Sequence, residues 1–384
     1  MNRKLRMGMI GGGQGAFIGA VHRMAAALDN QIELVCGAFS STPKKSYASG
    51  KELYLPKNRV YANFEEMILK EKALPVSERM DFVSIVTPNH MHFPPAKMAL
   101  ENGFHVICDK PLSFNLDQAI ELESLVNKTK LVFALTHNYT GYPMVKQARQ
   151  MIMSNTLGNI RKVVVEYPQG WLSDLVEQTG QKQSLWRTDP EKSGAGGSIG
   201  DIGTHAANLA EYISGLEISE ICADLTTFVK GRKLDDDVNI LLHFNNGAKG
   251  IFHCSQVCAG EENALSIKIY GEKGGLEWHQ QEPNSLVYIQ KDESKQILRT
   301  GVGKLHDAAN QHTRLPSGHP EGYLEAFANL YRNFAHAIQH KDDPAKLDKN
   351  LDFPSVYEGI RGMLFIEKVI ASSKSDKKWT KMQR

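Results

Sequence analysis

The sequence predicts an α/β protein with two domains, a parallel-sheet domain over residues 1–141 and an α+β domain with a large open, mostly antiparallel sheet over residues 142–384. The chain has 384 residues, which exceeds the usual size of one domain. Its first part alternates apolar strand segments with helical segments, as parallel strands joined by crossover helices do. Its second part strings strand segments together with turns, which is typical of an antiparallel sheet.

In the first domain, short apolar runs predict strands, and apolar residues at helical spacing predict helices. The predicted strands are 5–10, 32–39, 82–86 and 104–108, and the predicted helices are 20–28, 64–69, 96–102 and 116–127. The carboxyl ends of parallel strands meet at one edge of a sheet, where ligands bind in such folds. The motifs described below, up to residue 111, each follow the end of a strand.

In the second domain, a predicted helix at 144–154 leads into strands with few helices between them. Those strands are 160–167, 218–229, 238–244, 248–257, 265–270, 276–279 and 285–290, followed by a loop at 297–319 and helices at 323–340 and 357–372. Asn245-Asn246-Gly247 is a tight-turn signal between two of the strands. Too few helices remain to cover both faces of this sheet, so we expect one face to build a homodimer or homotetramer.

The charges nearly cancel, with 45 Lys and Arg against 43 Asp and Glu, so no net field favours nucleic acid or an anionic membrane. No apolar run approaches the roughly 20 residues of a membrane span, and no signal peptide is recognisable. We therefore expect a cytoplasmic protein with a small-molecule partner. The five cysteines are odd in number and scattered, which favours buried thiols over a metal site.

A glycine-rich turn follows the first strand and precedes a helix. Such a turn allows a pyrophosphate to approach the backbone, and the amides at the helix N-terminus bind the anion. A simple tight turn is the alternative. The gap from Gln14 to Ile18 is longer than in the standard fingerprint, so either Ala16 or Gly19 can take the place of the third glycine. The predicted cofactor-binding residues here are Gly11, Gly13, Gln14, Gly15 and Ala16.

The second strand ends without the acidic residue that grips a ribose 2′-hydroxyl in NAD-binding folds. Hydroxyls and cations stand there instead, at Ser40, Ser41 and Lys44. This substitution favours the 2′-phosphate of NADP, although many hydroxyl-lined sites accept NAD. The predicted cofactor is thus NAD or NADP, with a preference for NADP.

The third strand ends in a loop that can hydrogen-bond a ligand through Thr87, Asn89 and His92, with Pro88 making the loop rigid. The alternative for His92 is that it caps the next helix. The fourth strand ends in Asp109-Lys110-Pro111. There the proline disfavours helical geometry at Lys110 and leaves its ammonium over the expected cleft.

Lys110 is a candidate proton carrier, because a partly buried lysine has a lowered pKa and can polarise a hydroxyl. A surface turn is the alternative. A second candidate lies in the glycine-rich stretch 193–205, where a helix starting at Asp201 places Asp201 and His205 on one face. His205 then suits a general base and Asp201 a group that orients it or binds a hydroxyl. Alternatively, Asp201 caps the helix and His205 is a core residue.

Together these motifs resemble the Gfo/Idh/MocA family of oxidoreductases, which includes inositol dehydrogenases, glucose-fructose oxidoreductase and several sugar dehydrogenases. The resemblance covers nearly the whole chain and includes Gly19-x-x-His22, Asn138-Tyr139 and Trp186-Arg187. It implies an N-terminal Rossmann domain and a catalytic set of Lys110, Asp201 and His205. It also implies that Asn138, Tyr139, Trp186 and Arg187 line the nicotinamide and sugar pocket, with Asp109 and Lys110 beside the cofactor.

The chain departs from the family pattern at Asp109, where Glu is usual, at Asn208, where many members have Asp, and in the longer glycine turn. The segment 167–184, which contains Trp171, either covers the sugar site or forms a solvent loop.

The expected activity is hydride transfer between NAD(P) and a ring secondary hydroxyl or carbonyl of a sugar, glycoside or cyclitol. One alternative is a glycosidase that oxidises its substrate transiently with tightly held NAD and shows no net NADH. The other is a sugar or dinucleotide sensor without chemistry, against which the retained Lys110, Asp201 and His205 argue.

Overall fold

The computed structural model describes residues 3–384, apart from the side chain of Lys182, so the first two residues of the predicted first domain lie outside it. The chain divides into two compact units. The first runs to Gly141 and includes Tyr323–Ile360, and the second comprises Tyr142–Gly322 and the residues from Arg361 onward. This division differs from the predicted one at Tyr323–Ile360, which the sequence pattern assigns to the C-terminal domain.

The first unit contains a parallel sheet, as predicted. Its strands are β1 (Leu5–Gly11), β2 (Ile32–Ala38), β3 (Phe82–Val86), β4 (His105–Cys108) and β5 (Phe133–Leu135). Their order is β2-β1-β3-β4-β5, and every pairing is parallel. The three central strands are almost wholly buried, which explains why most of their residues are apolar. The short β5 carries too little pattern to be predicted.

Helices connect these strands. They are α1 (Phe17–Leu28), α2 (Pro43–Glu52), α3 (Phe64–Ala73), α4 (Phe93–Glu101) and α5 (Leu116–Thr129). The first begins at Phe17 rather than at residue 20, and α2 was not predicted. Its buried positions are Ser46, Ser49 and Gly50, so it has no apolar face to signal a helix.

The second unit contains a nine-stranded sheet. Its strands are β6 (Ile160–Pro168), β7 (Ile218–Thr226), β8 (Asp237–Phe244), β9 (Lys249–Ser255), β10 (Ser266–Gly271), β11 (Gly274–His279), β12 (Ser285–Gln290), β13 (Gln296–Arg299) and β14 (Thr380–Lys381). The order is β13-β12-β11-β10-β6-β9-β8-β7-β14. Only the β6–β9 pairing is parallel, so the predicted, mostly antiparallel sheet is confirmed.

The remaining helices are α6 (Pro143–Met153), α7 (Lys182–Arg187), α8 (Pro190–Ser193), α9 (Thr204–Ser214), α10 (Asp307–Gln311), α11 (Tyr323–Gln339) and α12 (Val356–Ser373). In the second unit, α6 and α9 pack on the sheet. In the first unit, α11 packs along α1, where the rings of Phe327 and Tyr331 contact His22. This packing explains why Tyr323–Ile360 belongs to the first unit.

The two faces of the nine-stranded sheet differ in burial. Side chains such as Ile240 and Phe252 are buried on one face, whereas Leu241 and Ile251, paired in register, are 48% and 42% exposed on the other. The predicted turn at 245–247 joins β8 to β9, and Gly247 has φ +89°. Among the described helices, none is both long enough and apolar enough to cross a membrane.

Candidate functional site

The glycine turn between β1 and α1 needs glycine because its backbone enters the left-handed region. Gly11, Gly12 and Gly15 have φ values of +82°, +69° and +70°. A Cβ on Gly11 would also lie 2.8 Å from the carbonyl oxygen of Val86, at the end of the neighbouring strand β3. The turn is therefore built for close backbone approach at the carboxyl edge of the sheet.

The third glycine of the turn is Gly19 rather than Ala16. A Cβ at Gly19 would lie 2.3 Å from the Cα of Gly12, so only glycine lets α1 pack this closely on the turn. Ala16 occupies the N-cap position of α1, and its amide donates to the Gly13 carbonyl at 3.0 Å. The first-turn amides of α1, from Phe17 onward, have no acceptor within the helix and suit an anion.

The extra residues of the turn are anchored on α2. The amide of Gln14 donates to Ser49 Oγ at 3.1 Å, and its side chain hydrogen-bonds Glu52. The amide of Gly13 donates to the Phe39 carbonyl at 3.2 Å. A cavity of about 490 Å³ is lined by Gly13, Gln14, Gly15, Ala16, Ser49 and Glu52, among others. The Gly13 and Gln14 amides thus hold the turn in shape, which the sequence pattern alone does not show.

The hydroxyl and lysine residues after β2 surround the start of α2. Ser40 Oγ accepts from the Thr42 amide at 3.2 Å, and Thr42 is the N-cap of α2. Ser41 and Lys44 are exposed, and Lys44 lies in the first turn of the helix. A lysine and a helix N-terminus together favour an anionic group here.

The loop after β3 has a different role for His92 from the predicted ligand contact. His92 is buried, with Nδ1 2.6 Å from the Pro111 carbonyl oxygen and Nε2 2.9 Å from that of Thr87. Both ring nitrogens therefore face backbone carbonyls, and burial lowers the histidine pKa. His92 is at the N-cap position of α4, but its side chain makes no capping bond. It links the loops after β3 and β4, so it positions them.

The other residues of that loop lie at the carboxyl edge of β3, as expected. Thr87 Oγ1 donates to the Met91 carbonyl at 2.9 Å, and the Met91 amide donates to the Pro88 carbonyl at 2.9 Å. Asn89 is 5% exposed.

Lys110 is half-buried immediately after β4, and its peptide bond to Pro111 is cis. Oδ1 of Asp109 accepts from the Lys110 amide at 3.0 Å and from Thr136 Oγ1 at 2.7 Å. Asp109 therefore fixes the backbone around Lys110 rather than presenting this oxygen to a cofactor.

Asn138 and Tyr139 are buried in a short turn after β5. The Nδ2 atom of Asn138 has no hydrogen-bond partner among the described residues. A buried amide donor without a partner is costly, so this atom fits a ligand acceptor such as the nicotinamide carboxamide.

The second unit holds Asp201 and His205 where a π-helical turn, Ile199–Gly203, leads into α9. The predicted α-helix from Asp201 therefore begins only at Thr204. Asp201 is partly exposed, and His205 is 8% exposed.

Asp235, which the sequence did not single out, holds this glycine-rich turn. Its carboxylate accepts from the amides of Gly197 and Ile199 at 2.7 and 2.8 Å, and a Cβ at Gly197 would lie 2.1 Å from the Asp235 carbonyl oxygen. Burial raises the pKa of Asp235 to about 6, against the opposing effect of those two amides. No local pattern links residues so distant in sequence.

Arg187 and Asp201 come together within the second unit. Arg187 Nε donates to Asp201 Oδ2 at 3.2 Å, and Nε2 of the Gln256 side chain donates to the same oxygen at 2.9 Å. The Arg187 guanidinium also lies 4.3 Å from the ring centre of Trp186. Gln256 follows β9 and is a further site residue that no sequence motif indicated.

The segment 167–184 is anchored by Arg232. This buried guanidinium donates to the carbonyls of Leu172 and Asp174 and pairs with Glu177 and Asp236 at 3.0 and 3.1 Å. Residues 172–177 of the segment are thus tied to Arg232 within the second unit, whereas residues 178–181 are exposed. Helix α7, which carries Trp186 and Arg187, begins at the end of this segment.

These contacts leave two groups of candidate residues. The first unit carries the glycine turn, Lys110 and Asn138, and the second carries Trp186, Arg187, Asp201 and His205. Each group combines binding donors with a side chain able to carry a proton. Within residues 3–384 no three His, Cys, Asp or Glu side chains are arranged to hold a metal ion.

Two family profiles match the chain. "Oxidoreductase family, NAD-binding Rossmann fold" matches residues 5–137, and "GFO/IDH/MocA C-terminal domain" matches residues 145–277. The uncharacterized oxidoreductase YfiI of Bacillus subtilis is 34% identical over 100% of this chain and 98% of its own length.

Solved structures agree with these matches. An oxidoreductase from Sinorhizobium meliloti is 46% identical, with a TM-score of 0.89 over 99% of this chain and 100% of that one. An inositol dehydrogenase homolog from Azotobacter vinelandii, complexed with NAD⁺, is 34% identical, with a TM-score of 0.95 over 99% of this chain and 98% of that one. The same homolog has been solved with NADH and myo-inositol, at 33% identity and a TM-score of 0.92 over 99% and 98% of the two chains. The chain belongs to the GFO/IDH/MocA family of oxidoreductases.

Proposed function

We propose that this oxidoreductase transfers a hydride reversibly between a nicotinamide cofactor and a ring secondary hydroxyl or carbonyl of a sugar, glycoside or cyclitol. The observation that carries the proposal is the carboxylate of Asp201, which Arg187 and Gln256 hold within the π-helical turn that leads to His205. A fixed carboxylate followed by a histidine suits a hydroxyl that must be oriented and deprotonated. The myo-inositol bound to the Azotobacter vinelandii homolog supports the substrate class.

The residues of the first unit fit the cofactor. The turn Gly11–Ala16 and the start of α1 would hold the pyrophosphate. Thr87, Pro88 and Asn89 would contact the cofactor at the carboxyl end of β3. The side-chain amide of Asn138 would bind the carboxamide. When bound, the nicotinamide ring accepts or supplies the hydride.

Side chains of the protein bind the reacting oxygen and accept the hydroxyl proton. The Lys110 ammonium, half-buried after β4, polarises the reacting oxygen, and His205 takes the hydroxyl proton. Asp201 accepts a hydrogen bond from the substrate hydroxyl, while Tyr139, Trp186 and Arg187 contact the ring. Oxidation thus releases one proton to His205 for each hydride transferred.

For the dinucleotide we propose NAD, with NADP tolerated. The NAD⁺ in the Azotobacter vinelandii homolog supports the first part. Ser40, Ser41 and Lys44 support the second, because they set no carboxylate against a 2′-phosphate. Comparison of kcat/KM for the two cofactors, in the wild type and Lys44→Glu, tests this. The variant should lose NADP turnover and keep NAD turnover, whereas equal losses would contradict the assignment.

We also propose a homodimer or homotetramer formed by the exposed sheet face that carries Leu241 and Ile251. An exposed apolar pair in the middle of a sheet supports such an interface. Light scattering after size-exclusion chromatography should give two or four copies, and Leu241→Glu should lower that number. A monomeric wild type would contradict the proposal.

The deciding experiment follows reduced nicotinamide by absorbance. Purified protein is incubated with sugars, glycosides and inositols, with NAD and NADP in parallel, and Lys110→Ala serves as the control. Reduction that depends on Lys110 establishes the dehydrogenase. Glycoside cleavage without net NADH would instead favour the redox-cycling glycosidase, and cofactor binding without any turnover would favour the sensor.

A further inference from the structure

A buried hydrogen-bonded chain ends at His22, which faces the carboxylate that precedes Lys110. Ser84 Oγ lies 2.8 Å from the hydroxyl of Tyr331, and this hydroxyl lies 2.8 Å from Nδ1 of His22. Within residues 3–384, His22 Nε2 has no hydrogen-bond partner, and it lies 4.0 Å from Oδ1 of Asp109. All four residues belong to the first unit, and the first three are at most 1% exposed.

The environment fixes the direction of this chain. Burial raises the pKa of Tyr331, so the phenol keeps its proton, and lowers the pKa of His22 to about 4, so the imidazole is neutral. A neutral imidazole has one N–H. If Tyr331 donates to Nδ1, that N–H is on Nε2 and faces the Asp109 carboxylate. The opposite tautomer would set a lone pair against the carboxylate, which is unfavourable. Ser84 then donates to Tyr331.

The Asp109 carboxylate connects His22 to the backbone of Lys110. The oxygen that His22 faces is the same Oδ1 that accepts from the Lys110 amide at 3.0 Å and from Thr136 Oγ1 at 2.7 Å. A rotation of the carboxylate would release the Lys110 amide at the end of β4. His22 therefore acts on Lys110 without touching substrate or cofactor.

We propose that His22, with its tautomer set by Tyr331, is a positioning residue. It holds the Asp109 carboxylate, and Asp109 in turn orients Lys110 for its role at the reacting oxygen. The role of Lys110 rests on the proposed function. The arrangement also gives a reason for the histidine in Gly19-x-x-His22: Gly19 lets α1 pack closely on Gly12, and His22, three residues further along the helix, faces Asp109.

The kinetic test uses Tyr331→Phe, which keeps the packing ring and removes the hydroxyl. Tyr61→Phe is the matched control, because Tyr61 is also buried in the first unit and its hydroxyl donates to Glu71 at 2.7 Å, away from Asp109. We expect kcat to fall about ten-fold in Tyr331→Phe and less than two-fold, roughly, in Tyr61→Phe, with KM for the dinucleotide unchanged in both. Equal kcat values in the two variants would overturn the proposal.

A second test does not depend on turnover. In protein labelled with ¹⁵N-histidine, the His22 signal, identified by its loss in His22→Gln, should show the Nε2–H tautomer. In Tyr331→Phe it should shift towards a tautomer mixture. An Nδ1–H tautomer in the wild type would overturn the proposal even if the enzyme is active. An inactive wild type with the Nε2–H tautomer would refute the proposed function but would still support the hydrogen-bonded chain from Ser84 to His22.

Discussion

Arg187 forms an ion pair with Asp201, with Nε 3.2 Å from Oδ2. Both side chains are largely shielded, at 25% and 17% exposure, so the pair is screened less than a surface pair. The guanidinium is held in turn by the Trp186 ring and by Gln183. Arg187 thus fixes the orientation of the carboxylate that we assign to the substrate hydroxyl.

Arg187→Met should therefore lower kcat/KM for the sugar or cyclitol and leave the affinity for the dinucleotide unchanged. A charge-assisted hydrogen bond contributes about 1.5–3 kcal/mol, so kcat/KM for the sugar or cyclitol should fall roughly ten- to a hundred-fold. Steady-state kinetics and NADH fluorescence titration measure the two effects. Lys192→Met, which removes an ion pair to Asp189 from a lysine that is 49% exposed, is the control and should change little. Similar kinetics for both variants would argue against the role of Arg187.

Asp235→Ala should destabilise the second unit, because it leaves the buried amides of Gly197 and Ile199 without their acceptor. Each such amide costs about 1–3 kcal/mol, so we expect a loss of roughly 2–6 kcal/mol in the free energy of unfolding. Chemical denaturation measures the loss. Asp376→Ala, on an exposed position of the second unit after α12, is the control and should stay within about 0.5 kcal/mol of the wild type. A similarly small change in both variants would refute this account of Asp235.

Gly19→Ala should weaken dinucleotide binding. The added Cβ would lie 2.3 Å from the Cα of Gly12, so α1 must move away from the glycine turn. Such overpacking typically costs 1–3 kcal/mol, so we expect NADH affinity to fall about ten-fold or more. The control is Gly362→Ala in α12, where the nearest atom to the new Cβ is 3.9 Å away. It should bind NADH like the wild type, and an equal affinity in Gly19→Ala would contradict the packing argument.

The sequence predicted elements and motifs whose signal is local. β3 has the predicted bounds, Phe82–Val86, because four of its five residues are apolar, as expected of a buried central strand. Helix α2 was missed because its buried face consists of serine and glycine.

In the candidate site, too, the sequence predicted only residues with a local signal. Local spacing indicated Asp201, but the residues that hold it in place, Gln256 and Asp235, lie on segments far along the chain and carry no motif. The π-helical turn depends on such contacts as well, so the sequence predicted an α-helix there. His92 was expected at the ligand because its type suits hydrogen bonding, whereas its burial could only be seen in the fold.

Acid should destabilise the first unit through His105. Its Nδ1 accepts from the Val132 amide at 2.8 Å, and burial, reinforced by nearby Lys341, lowers its pKa to about 4. The unfolded chain takes up this proton near pH 6.5, whereas the folded protein takes it up near pH 4. The stabilisation by neutral His105 is therefore complete above pH 6.5, the pKa in the unfolded chain. It is lost as the pH falls to about 4, the pKa in the folded protein. Its full size is about 3 kcal/mol.

His105→Gln keeps an acceptor for Val132 but does not titrate. The free energy of unfolding, measured by denaturant titration between pH 7 and pH 4.5, should fall less steeply with acid in this variant than in the wild type. Buried His22 and His137, whose pKa values burial lowers to about 4 and about 3, are present in both proteins and cancel in the comparison. His319→Gln, at an exposed site where the ring faces the Pro316 carbonyl, is the control and should follow the wild-type curve. Parallel curves for wild type and His105→Gln would mean that His105 is protonated equally in the folded and unfolded states, against the burial seen in the structure.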